Sequence, residues 1–79
     1  MDEIAMYAPS ANLMWAVLEG GPEGIPQASR RQEVGPVGDK IKIVHYGGYE
    51  HFERTGMLDE SGFFPQIVYR WTTRTEMAE

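Results

Sequence analysis

The chain has no cysteine among its 79 residues. That excludes disulfides, thiolate metal sites and a catalytic thiol, and it agrees with a reducing compartment. Basic residues are also few, with seven Lys and Arg against twelve Asp and Glu and a formal charge of −5. Only Arg30 and Arg31 are adjacent. Without a basic stripe the chain lacks the counterion release that drives nucleic-acid binding, and an anionic membrane would repel it. Long apolar runs are missing too. The longest, residues 13–18, is far shorter than a membrane span requires. The first residues, M-D-E-I-A-M, are acidic where a signal peptide would be basic. These absences point to a soluble cytoplasmic protein with no nucleic-acid or membrane partner. A chain this short makes one domain whose core contributes only roughly 3–5 kcal/mol net. With disulfides excluded, self-association is the simplest compensation, and a homodimer is expected.

What is present reads as a small sheet protein. Residues 1–12 carry Ile4, Met6, Tyr7 and then Pro9, and read as a flexible or partner-docked arm. Residues 13–18, L-M-W-A-V-L, form a short apolar run bounded by E-G-G-P, as in a strand covered on both faces. Residues 19–26 hold three glycines and two prolines and read as a chain reversal. Gly20 and Gly21 could offer N–H groups to an anion, but the Lys and following helix of a phosphate loop are missing. Residues 27–34 are polar with weak alternation, an edge strand blunted by Arg30, Arg31 and Glu33. An arginine pair can grip a carboxylate or phosphate, yet exposed pairs are usually just solvated.

Residues 40–56, K-I-K-I-V-H-Y-G-G-Y-E-H-F-E-R-T-G, are the centre of the chain. From Lys40 to Tyr46 the alternation places Ile41, Ile43 and His45 on one face and Lys42, Val44 and Tyr46 on the other. Gly47 and Gly48 read as a hinge. Tyr49 and Phe52 then stand at i, i+3, Glu50 and Arg54 at i, i+4, and Gly56 stands where a helix often ends. That spacing predicts a helix of under two turns over residues 49–55, packed on the sheet. Residues 57–66 read as a loop. Residues 67–75 alternate again, with Ile67, Tyr69 and Trp71 on one face and Val68, Arg70, Thr72 and Arg74 on the other. The expected fold is α+β: a mostly antiparallel four-stranded sheet with one short helix on one face, forming a single domain over residues 13–79.

Three blocks carry a resemblance. They are the E-G-G-P turn at 19–22, the segment K-I-K-I-V-H-Y-G-G-Y-E-H-F at 40–52, and the ending V-Y-R-W-T-T-R-T-E-M-A-E at 68–79. In these the chain resembles a family of short actinobacterial proteins often encoded among natural-product biosynthesis genes. The resemblance implies a bacterial cytoplasmic protein with an accessory role in secondary metabolism. It assigns no catalytic residue.

The candidate site centres on His45, Gly47, Gly48, Tyr49, Glu50 and His51, with Arg70 and Trp71. The latter two lie on a strand whose Tyr69, Arg70, Trp71 and Arg74 read equally as a binding hot-spot surface or as core aromatics flanked by solvated arginines. His45, Glu50, His51 and Glu53 are the most metal-like group, but their spacing matches no standard site, and neither metal nor cofactor is expected. Two functions fit. The first is a small accessory protein acting through protein or metabolite contacts. The alternative is a cofactor-free isomerase, cyclase or hydrolase, with His45 as acid/base, Glu50 or His51 orienting it, and the glycine backbone near an oxyanion.

Overall fold

The computed structural model describes residues 8–9 and 12–78. It is a five-stranded mixed sheet. The strands are β1 (Met14–Glu19), β2 (Arg31–Val34), β3 (Lys40–His45), β4 (Gly48–Asp59) and β5 (Gln66–Glu76), with one 3₁₀ turn at Gln27–Arg30. Their spatial order is β2-β1-β5-β4-β3. β1 runs parallel to β5, with Trp15 beside Gln66 and Glu19 beside Arg70, while the other three pairings are antiparallel.

The expected α+β fold of four mostly antiparallel strands and a helix is therefore wrong. Residues 49–55 belong to the longest strand, β4. The error traces to Glu50. In β4 the inward residues are Gly48, Glu50 and Phe52, all buried, and Tyr49 and His51 alternate between them. A charged residue among the inward positions hid the period of two, and the i, i+3 and i, i+4 pairs of a helix were equally present. Gly47 is no strand-to-helix hinge. Tyr46 and Gly47 have φ of 46° and 75°, and His45 pairs with Gly48. Two positive φ values in a two-residue loop make a type I′ hairpin turn, whose twist suits the flanking strands. Gly56, φ 84°, is no helix cap either. It lies inside β4, where the register with β5 shifts between Arg54 and Leu58. Such bulges bend a strand and increase its twist.

Other expectations fare better. β1 is an inner strand with Ala16 and Leu18 buried, and β2 is an edge, although it begins only at Arg31, after the 3₁₀ turn. Ile67, Tyr69 and Trp71 share a face as expected. Arg74 does not stay with Val68 and Arg70. Trp71 pairs with Phe52 and Thr73 with His51, so Thr72 is the extra residue of a bulge. That one residue turns Arg74 to the face of Trp71, opposite Glu50. Of the arm expected over residues 1–12, all but 8, 9 and 12 lie outside the described residues.

The connection from β2 to β3 shapes the sheet. These strands are its two edges, four inter-strand steps apart, and only residues 35–39 join them. Four steps across a flat sheet measure about 19 Å. Six extended residues span only about 20 Å, and here the chain also spends length on a turn, Gly38 N–H donating to Gly35 C=O at 3.3 Å. The sheet must curl to bring its edges closer. The concave face this creates holds the core: Ala16, Leu18, Val34, Phe52, Ile67 and Tyr69, with Ile41, Ile43 and Trp71 packed against them. Ile25 closes it from the β1–β2 connection. The Tyr69 hydroxyl donates to Gly38 C=O, and Arg54 N–H to Asp39 C=O at 2.9 Å, so the crossing loop is tied down to the strands it passes.

Candidate functional site

The most unusual group in the core is the Glu50 carboxylate, which is fully buried. A buried carboxylate is tolerated only when paired and hydrogen-bonded. Trp71 Nε1–H donates to Oε1 at 2.8 Å, and Arg74 Nη1–H donates to Oε2 at 2.6 Å. Burial is the largest single influence on Glu50 and favours the neutral acid. The hydrogen bonds from Trp71 and Arg74, the Arg74 charge and the nearby His45 ring together outweigh it, so the pKa lies below the ordinary value.

Arg74 does more than neutralise Glu50. It donates to the carbonyls of His45 at 2.8 Å and Tyr46 at 2.6 Å, and its Nε–H to Glu76 Oε2 at 2.8 Å. The bonds to Glu76 and then to Glu50 strengthen its hold on its proton, and the same contact lowers the pKa of Glu76. A planar guanidinium with five fixed donors suits this task where Lys would not. It staples β5 to the I′ turn and so supports Tyr46, a non-glycine residue held in left-handed backbone.

His45 is the candidate base, and its side chain is 10% exposed. Its Nδ1 stands 3.4 Å from Glu50 Oε2 without the geometry of a hydrogen bond, and Nε2 has no hydrogen-bond partner among the described residues. What faces Nε2 is Gly24: a Cβ built there would lie 3.2 Å away. The ring also meets Tyr46 edge-on at 4.4 Å.

The turn over residues 20–24 covers this cluster. Gly20 and Gly21 have φ of 86° and 79°, and a Cβ at Gly21 would stand 2.6 Å from Trp71 Cδ1. Only glycine serves there, for both backbone and space. Arg30 anchors the turn through the carbonyls of Leu18, Gly20 and Pro22 at 2.9, 3.0 and 2.9 Å. Of the two sequence readings of Arg30, neither solvation nor an anion grip describes it: its ligands are backbone carbonyls.

The structure thus brings together His45, Gly48, Glu50 and Trp71 from the expected set. It places Tyr49, His51 and Arg70 on the opposite face. Lys42 Nζ lies 4.5 Å over the Tyr49 ring, His51 Nε2 bonds Thr75 Oγ1 at 2.8 Å, and Arg70 is exposed, 3.6 Å from Glu19. Gly47 forms part of the turn. Among the described residues no three His, Asp or Glu side chains converge as metal ligands. A hollow of about 270 Å³ lined by Ser61, Gly62 and Phe63 lies at the far end of β4 from His45. Sequence reasoning missed Arg74, Arg30 and Gly24 as parts of the cluster. The Thr72 bulge concealed the first, and the other two depend on a loop path that no local pattern encodes.

The three blocks that carry the resemblance thus converge on one structural node: E-G-G-P covers it, β3 and the hairpin supply His45 and Glu50, and β5 supplies Trp71 and Arg74. The sequence matches a family of unknown function, DUF5988, over residues 10–79. The chain belongs to that family. No curated protein and no solved structure matches it. No helix among the described residues is long and apolar enough to cross a membrane.

Proposed function

We propose that this DUF5988 protein is a non-catalytic accessory protein of the bacterial cytoplasm, a homodimer that acts by contacting a partner protein or metabolite. The resemblance to actinobacterial proteins encoded among natural-product genes supports a role in secondary metabolism. The observation that carries the reading is the division of the polar residues. His45 and His51 lie on opposite faces, and Glu50 and Arg74 are engaged in holding the hairpin. An acid/base site would need His45 open to a substrate, and Gly24 covers its Nε2. The enzyme reading loses its main support there. The bonds of Arg74 to Glu50 and to the carbonyls of His45 and Tyr46 support a role for this pair in fixing the hairpin turn.

Native mass spectrometry of the untagged protein from a producing cell tests this. The expected species is a dimer, or a heteromer with a biosynthetic protein. A strict monomer carrying a small molecule that wild type converts and His45→Ala does not would overturn the reading.

A further inference from the structure

The β3 edge is the open surface best defined by this fold. β3 pairs with β4 on one side, and among the described residues no strand lies on the other. The two-residue turn fixes which backbone groups are free. His45 and Gly48 form the hydrogen-bonded pair that closes a I′ hairpin, and bonded and unbonded pairs then alternate. Ile43 and Ile41 therefore turn their N–H and C=O toward β4. The Arg54 N–H bond to Asp39 C=O continues the same alternation at the far end. Lys40, Lys42 and Val44 turn theirs outward, along an edge of six residues.

The side chains along that edge have a definite chemistry. Lys40, Lys42 and Val44 are exposed on the outer face, Val44 at 63% and the adjoining Tyr46 at 84%. Ile41 and Ile43 are half-buried on the concave face. Lysines on an edge discourage a second copy in any register that sets them opposite each other. They favour a strand bearing carboxylates at those positions. Glu53 lies beside Lys40 in the register and partly offsets it, so Lys42 is the dominant charge.

We propose that the β3 edge binds an extended, acidic segment of a partner protein by strand addition. Its alternate residues are carboxylates facing Lys40 and Lys42, and the residues between them are apolar, completing the concave face beside Ile41 and Ile43. Main-chain hydrogen bonds to Lys40, Lys42 and Val44 supply affinity, and the alternating side chains supply selectivity. This rests on the binding reading above and names the partner's class.

The test uses two end-blocked six-residue peptides, one alternating Glu and Val and one alternating Lys and Val, with the isotopically labelled full chain. The Glu peptide is expected to slow amide exchange at Lys42 and Val44 and to bind about tenfold more tightly than the Lys peptide, an advantage that shrinks several-fold as salt is raised. Val44→Pro removes one outward N–H and leaves the β4 ladder intact, so it abolishes binding of the Glu peptide. Should that variant misfold, the Lys40→Glu/Lys42→Glu pair serves instead, and it is expected to reverse the preference. Equal binding of both peptides, or exchange at Lys42 and Val44 that neither peptide alters, overturns the edge proposal. A heteromer by native mass spectrometry alongside that result would leave the accessory function standing and move the contact elsewhere.

Discussion

The two ends of β4 hold irregular backbone by different means. At its start, charged groups do the holding: Arg74 gathers the carbonyls of His45 and Tyr46 and the buried Glu50, while Arg30 gathers three carbonyls of the covering turn. At its finish the support is local. Asp59 accepts from the Ser61 N–H and hydroxyl at 3.0 and 2.6 Å, and Met57, Leu58 and Phe63 stand more than half exposed. Apolar bulk is thus spent on the surface at one end while a charge is buried at the other. The difference teaches that hydrophobicity alone does not locate the structural centre of a domain this small. A buried carboxylate bonded by Trp71 and Arg74 can specify a turn and a register that a few aliphatic side chains would leave loose.

The comparison breaks first at Glu50. Glu50→Ala leaves Arg74 without its buried partner and the hairpin without its staple, and we expect most of the chain to be unfolded at 25 °C by circular dichroism. A native spectrum with an unchanged melt would refute the polar node as the centre of stability. Glu50→Gln is milder, because a side-chain carbonyl can still accept from Trp71.

Acid is the next probe. Glu50, Glu76 and Asp59 all have folded pKa values below their ordinary ones. For Asp59 the causes are the Ser61 hydroxyl and then its N–H. A depressed carboxylate stabilises the fold fully above its unfolded pKa and loses that contribution as pH falls through the folded value. The urea midpoint should therefore hold from pH 7 down to the ordinary values of 4.5 for Glu and 3.8 for Asp, and fall progressively below them. In Glu50→Gln that acid limb should be visibly shallower. An equally steep limb would shift the acid sensitivity to other carboxylates.

A smaller effect is expected from Gly48→Ala. The added Cβ would stand 2.7 Å from both Arg74 Nη2 and the Thr75 carbonyl oxygen, and backbone cannot give way as a side-chain tip does. A loss of about 1–3 kcal/mol in urea unfolding follows from overpacking. A neutral result would mean that β4 and β5 are looser at the node than described. At the other end, Phe63→Ser should change stability by less than about 0.5 kcal/mol, as expected of an exposed side chain. A large loss there would erase the contrast between the ends.

How much of this was legible in the sequence follows from the same contrast. β1 announced itself by an unbroken apolar run between turn residues, and β3 and the first half of β5 by alternation, with Ile41, Ile43 and His45 sharing a face as their spacing requires. β4 did not, because Glu50 occupies an inward position and Gly56 imitates a helix end. The approach of His45 to Glu50, its diagonal neighbour across the strand pair, was within reach once the turn was seen as a two-residue hairpin. Arg74 was not, since the bulge at Thr72 that turns it inward exists only in the register between two strands. The parallel contact of β1 with β5 carries no local signature at all.

That contact also governs the order in which the chain can become a protein. Trp15 meets Gln66 across about fifty intervening residues, whereas β3, β4 and β5 are neighbours in sequence and in space. Loops that long close slowly. On the ribosome, the apolar segment M-W-A-V-L can pair with β2 soon after it emerges, but its other edge has no partner until β5 has been made. The β1–β2 hairpin thus docks late onto the rest of the sheet, and during that interval the open edge of β1 is exposed to whatever chaperone or neighbouring chain arrives first.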